Sequence, residues 1–262
     1  MPELPEVEVW RTVLEAALKD RPIVSTEVLE PSMVDGQSAS QLIKALNGAK
    51  VIAFLRRGKF LLLRTDRDTH LILHLGMNGT YDLADDNHAP SDARLVLHFE
   101  GGKRLAYTSQ KKFGLIKLTK DPSAVRALRQ LGPEPLDPAL TPEVFRRLLA
   151  ERRRSLKTLL MDQSFLAGIG NVYADEILFQ AGLRPDRRAS DLSEPEAARL
   201  HESLRRVLNE AVAAGADPKR LPAGWITPRR SDDGADCPKC GLPLVHTSFG
   251  KRAATFCRKC QK

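Results

Sequence analysis

The stretch Lys120-Asp121-Pro122-Ser123, followed by Gly132-Pro133-Glu134-Pro135-Leu136-Asp137-Pro138, divides the chain into two textures. Proline lacks a donor and restricts the residue before it, so neither a strand ladder nor a helix runs through such a segment. Upstream lie short apolar or alternating runs: Val51 to Leu55, Phe60 to Arg64, Leu71 to Leu75, Arg94 to Phe99, Leu105 to Thr108 and Leu115 to Thr119. Gly58, Gly76, Asn78, Gly79, Gly101 and Gly102 punctuate them, which predicts an antiparallel β-sandwich or barrel. A helix starting near Pro5 precedes them, with Trp10, Val13, Leu14 and Ala17 at helical spacing and acids near its positive end. Downstream, Thr141 to Glu151, Lys157 to Asp162, Val172 to Ala181 and Glu194 to Ala213 carry helical periodicity. The expected organisation is a β-rich domain over 1–120, a linker over 121–138, a helical domain over 139–236 and a small cysteine module over 237–262. The fold class is therefore α+β and multi-domain.

The 262 residues include 41 Lys+Arg against 33 Asp+Glu, a formal net charge of +8 with pI near 9.5. Such a balance favours a polyanionic partner, although a well-solvated basic enzyme has the same arithmetic. At 42% hydrophobic and 28% charged residues the chain is expected to fold. The longest uncharged run, Thr69 to Tyr81, falls short of the ~18 residues a membrane span needs. Glu3, Glu6 and Glu8 stand where a signal peptide requires basic and apolar regions, so a cytosolic chain without membrane contact is expected.

All four cysteines follow the pattern Cys237-x2-Cys240, sixteen residues, Cys257-x2-Cys260. In a reducing compartment this spacing points to metal rather than disulfides, because a two-residue gap turns two thiolates toward one point. Four thiolates suit one tetrahedral Zn²⁺ and leave no open position, so the ion is expected to be structural. Lys239, Lys251, Arg252, Arg258, Lys259 and Lys262 lie in the same segment without an acid among them. They either grip phosphates or solvate a small ribbon.

Met1-Pro2-Glu3-Leu4-Pro5-Glu6 is the other informative stretch. Its simplest reading is a helix start, with proline in the first turn and acids at the dipole's positive end. Removal of Met1 would also expose a secondary amine on Pro2 beside two carboxylates. An ordinary α-amino group titrates at about 7.7 to 8.0, leaving roughly 10 to 17% unprotonated at pH 7, against about 0.04% for a lysine. Such a terminus is a ready nucleophile.

Around these two places, the sequence resembles the formamidopyrimidine-DNA glycosylase family, related to endonuclease VIII, over nearly its whole length. The resemblance rests on Pro2-Glu3-Leu4-Pro5-Glu6-Val7-Glu8, Arg57-Gly58-Lys59-Phe60, His74-Leu75-Gly76-Met77-Asn78-Gly79 and Lys112-Phe113-Gly114. It continues through Leu131-Gly132-Pro133-Glu134-Pro135-Leu136, Gly168-Ile169-Gly170-Asn171-Val172-Tyr173-Ala174-Asp175-Glu176 and the cysteine ribbon. Leu4 aligns it with the formamidopyrimidine branch. The implied fold is an N-terminal helix with a β-sandwich, then a helix-two-turn-helix domain and a zinc ribbon. The implied activity is excision of an oxidised base from damaged double-stranded DNA, followed by strand cleavage at the abasic site, by a monomer on the bacterial nucleoid. Pro2 is the implied nucleophile at C1′, Glu3 the acid, Glu6 a positioning group and Lys59 a contact to phosphate and lesion. His74, Asn171 and Arg252 are implied backbone contacts. Met77 and Phe113 would fill the void left by the everted base, beside Lys111. Each has a plainer alternative: Lys59 as a turn lysine, His74 and the two apolar residues as core, Asn171 as a helix cap.

Two places depart from the family pattern. Ser109-Gln110-Lys111-Lys112-Phe113-Gly114 puts Lys111 where an arginine usually meets the orphaned base, and lysine lacks that planar fork of donors. The segment between Ala214 and Cys237 is short, and Trp225 within it either stacks on a base or anchors the loop. Rival readings are a non-catalytic binder of damaged DNA, a glycosylase of different lesion range, and a zinc-ribbon protein acting on other proteins.

Overall fold

The computed structural model describes residues 1–262 apart from 87, 233, 250 and 251. The chain folds as two compact units, one of Met1–Pro2 with Glu6–Arg129, the other of Glu3–Pro5 with Gln130–Lys262. Helix α1 (Leu4–Leu18) therefore starts in one unit and continues in the other.

In the first unit, β1 (Ile23–Val28), β6 (Ala93–Phe99), β7 (Arg104–Ser109) and β5 (Gly79–Ala84) form one antiparallel sheet in the order β1-β6-β7-β5. The other is β2-β3-β4-β8, from β2 (Val51–Arg57), β3 (Phe60–Thr65), β4 (His70–His74) and β8 (Leu115–Thr119). Alternate residues of both sheets, among them Leu61, Leu63, Leu71, Leu73, Leu95, Leu97, Leu105 and Tyr107, share one core with Leu14 and Leu18 of α1. This is the period-two burial of a sandwich. Helix α2 (Ala39–Leu46), absent from the expected elements, adds Leu42 and Leu46 and opens with a capping box between Ser38 and Gln41. β1 and β5 were also beyond that reading. Residues 121–138, expected as a linker, hold a 3-10 turn at Pro122–Ala124 and helix α3 (Arg126–Arg129), both within the first unit.

The second unit packs α4 (Pro142–Ala150), α5 (Leu156–Leu160), α6 (Asn171–Ala181) and α7 (Glu194–Ala213) around Leu4, Phe145, Leu159, Ile177, Leu204 and Leu208. The hairpin β9 (Val245–Phe249) and β10 (Arg252–Phe256) follows. Phe179 of α6 packs with Ile226, Cys237, Leu244 and Cys257 in a satellite core beneath the cysteines. Among the described residues no helix is long and apolar enough to cross a membrane.

Candidate active site and metal centre

Glu3 is almost fully buried, at 2% exposure, in the second unit. Its carboxylate accepts the backbone N–H groups of Gly170 at 2.7 Å, Val172 at 2.8 Å and Tyr173 at 3.2 Å. These are donors that a helix start leaves without intrahelical partners, so α6 receives its N-terminal cap from a residue far away in sequence. Leu4 N–H donates to the Gly168 carbonyl at 2.9 Å, fixing the chain immediately after Glu3. A Cβ at Gly170 would collide with the Glu3 carboxyl group, which is why the cap position is glycine. Asn171 is accordingly not the cap: it is the first helical residue, and its Oδ1 is buried with no partner among the described residues. Pro2, immediately before Glu3, is half-buried.

One turn into α6, Asp175 and Glu176 are buried acids. Lys157 Nζ donates to Asp175 Oδ1 and to the Asn171 carbonyl, both at 2.7 Å, and burial pulls its pKa down against the raising effect of Asp175. Glu176 accepts Thr227 N–H at 2.8 Å and its hydroxyl at 2.7 Å, yet burial still raises its pKa. The segment 215–236 is thus tied to α6. Trp225, 3% exposed within the helical core, anchors it and offers no face to a base.

In the first unit, several of the expected residues gather at one end of the sandwich. Lys59, 8% exposed, lies in the two-residue turn between β2 and β3. Phe60 and His74 are register partners, and their rings lie 4.5 Å apart. His74 Nδ1 accepts the Gly76 N–H at 3.1 Å, so the neutral ring carries its proton on Nε2. Burial, reinforced by the Lys59 charge, lowers His74 to about 4. Gly76, at φ +65°, lies so close to the Phe113 backbone that a Cβ would overlap it. The β4–β5 and β7–β8 turns are therefore neighbours, and their tips expose Met77 (47%) and Phe113 (64%). As both are exposed, neither is a core residue. Lys111 is exposed beside Phe113, while Lys112 pairs with Glu30. Glu6 is half-buried in the first turn of α1.

The four cysteine sulfurs all lie within 4.8 Å of one another, with Cys237 to Cys260 at 3.8 Å and Cys240 to Cys257 at 3.5 Å. A tetrahedron of Zn–S bonds of about 2.3 Å has edges of about 3.8 Å, so the spacing of the four sulfurs suits one metal ion. Arg252 opens β10, and it, Arg258, Lys259 and Lys262 are exposed. Lys239 instead covers the Phe179 ring at 4.5 Å. Lys251 lies outside the described residues.

The family model for the formamidopyrimidine-DNA glycosylase N-terminal domain matches residues 1–116, and that for the formamidopyrimidine-DNA glycosylase H2TH domain matches 131–222. Proteins named formamidopyrimidine-DNA glycosylase from Halorhodospira halophila and Heliobacterium modesticaldum are 37% and 36% identical, each pair covered over 100% of both chains. The Lactococcus lactis enzyme crystallised with DNA containing Fapy-dG superposes with TM-score 0.89 at 31% identity, covering 99% of this chain and 100% of that one. MutM in complex with DNA containing carbocyclic 8-oxo-G gives 0.88 at 32%, with 100% of both chains covered. Two matched domains and full-length relatives above 30% identity show that this chain belongs to the formamidopyrimidine-DNA glycosylase family.

Proposed function

We propose that the protein is a bifunctional DNA glycosylase and abasic-site lyase of base excision repair, acting as a monomer on oxidised purines in double-stranded DNA in the bacterial cytoplasm. The observation that carries the reading is the Glu3 carboxylate, directly after Pro2 in the chain, held by the amides of the cap residue Gly170 and of Val172 and Tyr173 in α6. Loss of Met1 frees the Pro2 amine. Its lone pair attacks C1′, the base leaves with the electron pair of its bond to C1′ and takes a proton from water, and the proton displaced from nitrogen passes to Glu3. Glu3 returns it to the ring oxygen as the C1′–O4′ bond opens and the iminium forms. The iminium acidifies the C2′ proton, so elimination of the 3′ and then the 5′ phosphate follows. Glu6 positions this end of α1, and Lys59 reaches phosphate.

His74 supports a role as a neutral donor through Nε2, and Asn171 and Arg252 supply further phosphate contacts. Met77 and Phe113 enter the base stack as the lesion is everted, with Lys111 beside the orphaned base. Cys237, Cys240, Cys257 and Cys260 would hold one structural Zn²⁺, which when bound fixes the ribbon that carries Arg252.

Borohydride trapping on abasic duplex DNA tests the reading. The mature enzyme is expected to form a covalent adduct at its N-terminal residue, reduced at least about tenfold in Pro2→Gly. Absence of an adduct with the unmutated enzyme would favour the non-catalytic binder.

A further inference from the structure

One buried carboxylate that this chemistry does not use collects four hydrogen bonds from three separate parts of the second unit. Asp175 lies one turn along α6 from Asn171, and its side chain has no exposed surface. Its Oδ1 accepts from Lys157 Nζ at 2.7 Å, and Oδ2 accepts from Arg230 Nε at 3.0 Å and Nη2 at 2.5 Å. Oδ2 also accepts the backbone N–H of Thr255 in β10, at 3.1 Å. Lys157 and Arg230 each donate in addition to the Asn171 carbonyl, at 2.7 and 3.3 Å. The same two cations thus hold α6 at both Asn171 and Asp175. Asn171 stands between Gly170 and Val172, two of the residues whose amides hold Glu3.

Burying Asp175 and Lys157, with Arg230 partly buried beside them, is costly, and apolar groups of equal volume commonly stabilise a fold as well or better. What an ionic cluster adds is direction: a carboxylate with every bond assigned fixes its neighbours in angle as well as distance. We propose that Asp175 is a positioning residue: it fastens the cysteine ribbon and the Arg230 turn to the first turn of α6, and so aligns Glu3 for base excision. This rests on the reading of Glu3 as the acid in the glycosylase step. Asp175→Asn keeps the shape but leaves the buried Lys157 and the partly buried Arg230 as two cations around a neutral amide, so their grip on the Asn171 carbonyl loosens.

The test uses the full-length, metal-loaded enzyme and compares four readouts: single-turnover excision of an oxidised purine, borohydride trapping on preformed abasic duplex, duplex affinity and bound metal. Asp175→Asn is expected to lower excision at least about tenfold. Trapping, which proceeds from the open-chain aldehyde of the abasic site and so needs the Pro2 amine but neither base departure nor ring opening, stays within about threefold of the unmutated enzyme, as do affinity and metal content. Arg230→Lys, which keeps the charge and loses the fork, shows the same split to a smaller degree, and the double variant is no worse than Asp175→Asn alone. Unchanged excision, or a parallel fall in all four readouts, overturns the proposal. If Asp175→Asn does not fold, Arg230→Met decides between the same outcomes. Failure of the underlying reading is seen separately, as excision surviving in Glu3→Gln.

Discussion

At the scale of single residues, the site depends on how closely a side chain is held. Gly170 is the tightest case, because a methyl group there occupies the space of the Glu3 carboxyl. Gly170→Ala is expected to displace that carboxylate and lower single-turnover excision by about a hundredfold, while circular dichroism remains native; unchanged excision would remove Glu3 from the reaction. His74 makes a prediction about pH. Its pKa in the folded protein, about 4, lies below the ordinary value near 6.5, so folding favours the neutral ring. The resulting stability is complete above about pH 6.5 and is lost as pH falls toward about 4. The unfolding free energy should therefore decline by up to about 3 kcal/mol more in the native protein than in His74→Gln across that window, measured by urea titration.

At the scale of elements, two adjacent turns act together. The close approach of Gly76 to the Phe113 backbone places Met77 and Phe113 side by side, exposed although large and apolar. Side chains of that kind cost little to withdraw from water into a base stack. Met77→Ala with Phe113→Ala is expected to slow excision from a fully paired duplex about tenfold or more. A lesion opposite a mismatched base, already partly unstacked, should be processed with a smaller loss. Equal losses on the two substrates would argue that the turns serve some step other than eversion.

At the scale of the whole molecule, charge governs association. A net +8, with Arg252, Arg258, Lys259 and Lys262 exposed, predicts that duplex affinity falls at least about a hundredfold between about 50 and about 200 mM salt. Affinity indifferent to salt in a fluorescence anisotropy titration would point to the rival reading of a protein-binding ribbon.

Much of this molecule was written in local patterns. Period-two runs, helical spacing and the paired cysteines depend on residues a few positions apart, so six of the eight described sandwich strands, the helices α1, α4, α5, α6 and α7, and the cysteine cluster are legible directly. β1 and β5 carry weaker alternation and lie outside the expected strands, and α2 is too short to stand out although Ser38 and Gln41 mark its start and Leu42 and Leu46 have helical spacing. The candidate site was legible as a set of motifs but not as an arrangement. That Glu3 caps α6, that Trp225 anchors its loop within the core, that Met77 and Phe113 stand on neighbouring turns, and that Asp175 joins three elements are all contacts between distant residues. Sequence alone determined which side chains carry amine, carboxylate and thiol chemistry, because that is a property of each residue and its near neighbours. Only the tertiary structure decided which of them meet, because burial and hydrogen-bond geometry arise when segments far apart along the chain share one interior.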